Sequence, residues 1–87
     1  MPRRPALSYA SGPLDRGTVL RHLAAADRHV AEGERHIARQ RELIAELERN
    51  GHASADARGL LATLEDMQTS HVAHQDRLRR ELKAGTE

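Results

Sequence analysis

The chain has 87 residues, no cysteine, phenylalanine or tryptophan, and a single tyrosine, Tyr9; 14 basic residues stand against 13 acidic ones, for a net charge of +1. This excludes disulfides, thiolate metal sites and cysteine nucleophiles and argues against nucleic-acid binding driven by phosphate neutralisation. It leaves one small domain whose core is Leu, Ile, Val, Ala and Met, and domains below roughly 70–80 residues usually need a metal, a disulfide or oligomerisation besides their own core.

Residues 1–14 carry all three prolines together with Ser8, Ser11 and Gly12, and read as an irregular arm. The stretch Ala6–Leu14 is broken by serine, glycine and proline, whereas a signal peptide needs an apolar run of about 7–15 residues. No run approaches the ~18 apolar residues of a membrane span. The expectation is a cytoplasmic protein without membrane contact.

Residues 15–84 are expected to form a helical hairpin. Asp15 can cap the first helix by accepting a hydrogen bond from a free backbone N–H. Helix 1 is then expected over about 15–49, because one heptad repeats four times: HLAAADR (22–28), HVAEGER (29–35), HIARQRE (36–42) and LIAELER (43–49). The second slot is Leu23, Val30, Ile37 and Ile44; the third is Ala24, Ala31, Ala38 and Ala45. Such a heptad without proline marks a long amphipathic helix lying against another helix. With Leu23, Val30, Ile37 and Ile44 at a, the d positions are Val19, Ala26, Gly33, Gln40 and Leu47.

Asn50-Gly51 stops this helix, since both residues tolerate the left-handed conformation. A turn over 50–53 forces the helices antiparallel. Helix 2 is expected over about 54–83, capped by Ser54, with Asp56 early and Arg77, Arg79, Arg80 and Lys83 late, as the helix dipole favours. Residues 85–87 form a tail. The seam assigned to helix 2 is Ala57, Leu60, Leu64, Met67, His71, His74 and Leu78. Folding the hairpin sets Ile44 against Leu60, Ile37 against Met67, Gly33 against His71 and Ala26 against Leu78, and makes the turn end aliphatic. The assembly seam is therefore Leu23, Val30, Ile37, Ile44, Leu60, Leu64, Met67 and Leu78. One flank of the pair carries the alanines with Leu20, Leu61, Val72 and Leu82. This flank is the expected surface for self-association into a dimeric four-helix bundle. The other flank carries His22, His29, His36 and Leu43.

Three features bear on chemistry. His71-x-x-His74 places two imidazoles one turn apart, with His29 and His36 across the hairpin; His29, His36, His71 and His74 form a candidate site for zinc or another transition metal. The plainer reading makes His71 and His74 polar layers that fix register. Seam histidines also predict a hairpin that loosens between neutral pH and pH 5. Second, Arg16, Arg21, Arg77, Arg79, Arg80 and Lys83, joined by Arg3, Arg4 and Arg28, make a basic open end able to grip an acidic partner or a nucleic-acid backbone. The alternative is a solvated end whose arginines pair with Asp27, Asp76 and Glu81. Third, the chain has no nucleophile elbow, glycine-rich phosphate loop or paired-acid motif, so catalysis is not expected.

The runs Ala25–His52 (AADRHVAEGERHIARQRELIAELERNGH) and Ala57–Leu78 (ARGLLATLEDMQTSHVAHQDRL) resemble small helical-hairpin proteins of rhizobial and related soil bacteria. The resemblance covers about residues 20–82 and implies a short helical hairpin. It brings no activity, cofactor or site residue. In those proteins the helical part begins close to the N-terminus, so the arm looks like an extension or the product of an upstream start codon. Together these readings give an all-α antiparallel hairpin that self-associates and acts as a non-catalytic interaction or regulatory module, with an unidentified protein as a further possible partner.

Overall fold

The computed structural model describes residues 15–85, so the expected arm and the last two residues lie outside the described residues. Two helices make up the fold: α1, Arg16–Arg49, and α2, Ala55–Gly85. They pack against each other along their length as an antiparallel hairpin. At ~1.5 Å per residue each is roughly 45–50 Å long. Among the described residues no helix is long and apolar enough to cross a membrane.

The ends of α1 follow the sequence closely. Asp15 is extended, and its Oδ1 accepts from the Thr18 backbone N–H at 2.8 Å. At the other end Asn50 is the C-cap and Gly51 has φ +72°. The Gly51 N–H donates to the Glu48 carbonyl at 3.1 Å and the His52 N–H to the Leu47 carbonyl at 2.8 Å. This pair of bonds satisfies carbonyls that the helix end would leave open, and it requires a left-handed residue at position 51. Nothing crowds a Cβ there, so Gly51→Ala isolates the backbone term. It is expected to cost about 1 kcal/mol, a fall in melting temperature of roughly 4–8 °C for a domain of this size, measured by circular dichroism.

Ser54 stands just before α2, but its hydroxyl does not cap the helix. It donates to Glu48 Oε2 at 2.8 Å, and Arg58 Nε donates to the same oxygen at 3.0 Å. The turn is thus held by a carboxylate of α1, the residue just before α2 and one from its first turn. Arg58 and then Ser54 hold the Glu48 carboxyl below its ordinary value of 4.5. A carboxylate depressed in the folded state contributes stability fully above its unfolded value and loses it as pH falls through the folded one. The melting temperature is expected to fall below about pH 4.5, and Glu48→Gln should flatten part of that fall while leaving the neutral-pH helicity unchanged.

The seam of α1 is the expected one: Val19, Ala26, Ile37, Gln40 and Ile44 are buried, with Leu23, Val30, Gly33 and Leu47 half-buried. The seam of α2 is not. Ala57 and Leu64 are half-buried and Leu78 is buried as expected, but Leu60, Met67 and His74 are exposed. Their places are taken by Leu61, Gln68 and Gln75, each one residue further on. The phase of α2 is fixed by what α1 offers. Gln75 Nε2 donates to Asp27 Oδ1 at 2.7 Å, and Gln68 Nε2 donates to the Val30 carbonyl at 2.9 Å. Gln40 Nε2 reaches the Ala57 carbonyl at 2.9 Å. The space left by Gly33 is filled by Gln68 and not by His71: a Cβ on Gly33 would lie 1.8 Å from Gln68 Oε1. The buried cluster is Val19, Ala26 and Leu78, with Leu23 and Leu82 against it, at the open end.

Candidate functional site

Because α2 is turned relative to the expected phase, its apolar residues do not all enter the seam. Leu60 is 49% exposed, Met67 50% and, on α1, Leu43 43%. They accompany half-buried Leu64 on the flank that carries His29 and His36. Apolar residues beside a seam are the pattern of a helix pair that meets further helices. Two adjoining clefts run along this flank. One, of about 410 Å³, lies between Leu43 and Leu64 with Arg39, Glu42 and Glu46 on its rim. The other, of about 270 Å³, lies between His29, Glu32, Met67 and His71. His36 and Leu64 line both.

The opposite, alanine flank is more polar than expected. Arg41 and Glu65 bridge the helices at 2.9 Å, and Arg79 reaches Asp27 at 3.4 Å. These exposed pairs add little stability, but they place charge across the surface that the alanines suggested for self-association. Leu20 and Val72 are exposed there.

The four candidate metal ligands separate into two sets. His29, His36 and His71 share the smaller cleft. His74 is exposed, away from the seam, with Arg77 3.4 Å from its Nδ1. Among the described residues no three His, Cys, Asp or Glu side chains are grouped so as to hold a metal ion. The His29 and His71 rings do approach, with centroids 5.6 Å apart and planes at 37°. His71 Nδ1 and Gln68 Oε1 are both buried without a hydrogen-bond partner.

The basic end is partly neutralised. Arg79 pairs with Asp27, Arg77 contacts His74 and Arg21 bonds Thr18. Arg16 lines a small cleft together with Asp15 and Glu81. Of the three acids expected to share this role, Asp27 takes an arginine directly. What sequence reasoning missed is that Gln68 and Gln75 join Gln40, already assigned to the seam, in bonding across the helix pair. Its signal was present: Gln68 and Gln75 stand seven residues apart in α2, and Gly33 leaves a gap that Gln68 fills. Comparison with protein-family models, characterised proteins and solved structures finds no match to this chain.

Proposed function

We propose that this chain is a non-catalytic helical module that pairs with a second copy of itself, through the Leu43–Leu60–Leu64–Met67 face, into a four-helix bundle. The observation that carries this reading is the exposure of Leu43, Leu60 and Met67 on one flank of a hairpin with only five buried apolar side chains among the described residues. A helix pair alone buries one stripe of each helix, and domains are stable when at least two layers enclose a core. A second copy suits the rim as well as the centre. Arg39 borders the cleft together with Glu42 and Glu46, so a two-fold partner would bring opposite charges over one another, as isologous interfaces do. The clefts are open grooves lined by long side chains, which suits helix docking better than enclosure of a reacting substrate.

Sedimentation velocity on the full chain tests this reading. The expected result is a dimer whose dissociation into monomers on dilution is accompanied by a loss of thermal stability. A monomer at all concentrations would overturn it.

A further inference from the structure

We infer that the second copy docks antiparallel to the first, about a two-fold axis that crosses the helix pair at His36 and Leu64 and sets α1 on α1 and α2 on α2. The inference rests on the proposed pairing through the Leu43–Leu60–Leu64–Met67 face. Two closed arrangements are open to a hairpin that meets its own copy through one flank. An axis along the helices stacks α1 on α2 of the partner subunit, each at the same distance from its turn. An axis across the helices stacks each helix on its own counterpart and reverses the order of levels.

Contacts across the hairpin fix the levels. The rings of His29 and His71 have their centroids 5.6 Å apart. His36 and Leu64 each lie two turns nearer the connecting turn, so they share a level too. Both line the larger cleft, on the turn side, and the smaller one, on the open side. An axis through them therefore lays each cleft over the other cleft of the partner subunit. Three of the four apolar residues of this face are on α2. With the axis along the helices, Leu60, Leu64 and Met67 would cover levels of α1 that present Arg39, His36 and Glu32. With the axis across them, Leu64 meets its own counterpart, and Leu60, one turn to one side, meets Met67, one turn to the other. Leu60 and Met67, exposed in the single hairpin, then close into an apolar layer whose burial drives association. Charge along α1 favours the same arrangement. Arg39 lies about one turn from His36 on the turn side, and Glu32 about one turn from it on the open side. The crossing axis lays each Arg39 over Glu32 of the partner subunit, and each Glu42 near its His29. Such complementarity fixes the register of an interface.

The chain lacks cysteine, so one introduced cysteine takes a spin label at a single place. His52 is exposed in the turn and serves it through its backbone N–H, which His52→Cys retains. Double electron–electron resonance on the labelled full chain then measures the distance between the two turns of a dimer. The crossing axis sets them about 40 Å apart, twice the length of α1 from His36 to Arg49. An axis along the helices would set them within about 20 Å, the spacing of stacked helices plus two labels. That result would overturn the inference and leave the dimer standing. A chain that stays monomeric would overturn the pairing, and the inference with it. Charge exchange gives a second reading by sedimentation. Arg39→Glu is expected to weaken the dimer about three- to tenfold, and Glu32→Arg added to it to restore the original dissociation constant. A double variant no tighter than Arg39→Glu alone would overturn the inference.

Discussion

Leu78→Asp is expected to abolish cooperative unfolding and most of the helical signal at 25 °C. Leu78 is 4% exposed and belongs to the cluster with Val19 and Ala26 at the open end. Truncating a buried leucine to alanine alone costs about 2–5 kcal/mol. A single core in a domain this small supplies only ~3–5 kcal/mol. Aspartate adds the cost of an unpaired charge in an apolar layer. Ile37→Asp should act in the same way, since Ile37 is buried in the same seam. The informative contrast is Leu60→Asp. The sequence pattern alone makes Leu60 and Leu78 equivalent seam residues, whereas Leu60 is 49% exposed. Monomer helicity is therefore expected to survive Leu60→Asp. Circular dichroism at low concentration reads the difference, and unfolding of both variants alike would refute the observed phase of α2.

The second large effect concerns assembly. Leu60→Glu combined with Met67→Glu should convert the proposed dimer to a monomer and remove the concentration dependence of its melting temperature. A partner that binds only the folded state stabilises it by mass action, about 2.7 kcal/mol when present at a hundredfold excess over the dissociation constant. Two carboxylates on each facing surface would be buried against their own copies, so the dimer should weaken by far more than the monomer. Replacing Ala31 and Ala38 on the opposite flank by glutamate is the control. A dimer lost through the alanines and retained through Leu60 and Met67 would return the interface to the alanine flank.

The helical hairpin was legible because its signals are local. Asp15 before the first periodic residue, Asn50-Gly51 after the last and the heptad of α1 each act over a few residues. Each reappears as a cap, a left-handed glycine or a buried stripe. The seam of α1 was equally legible because the second slot of every heptad is aliphatic and the slot after it is always alanine. The candidate site was legible only in part. His29, His36 and His71 come together, and His74 leaves them because it shares the displaced stripe of Leu60 and Met67.

By itself, the sequence determined two helices, their ends, their antiparallel order and the inner face of α1, all set by backbone propensity and by a repeat that admits one reading. The tertiary structure decided which face of α2 turns inward. At three places in α2 an apolar or imidazole residue is followed directly by an alternative: Leu60 by Leu61, Met67 by Gln68 and His74 by Gln75. Hydropathy favours the first member at Met67 and gives no choice between the leucines. Hydrogen bonds to Val30 and Asp27, and the space over Gly33, favour the second. One residue of a helix is about 100° of rotation, so that choice moved Leu60 and Met67 from the core to the surface. It also left His74 outside the cleft that His29, His36 and His71 line.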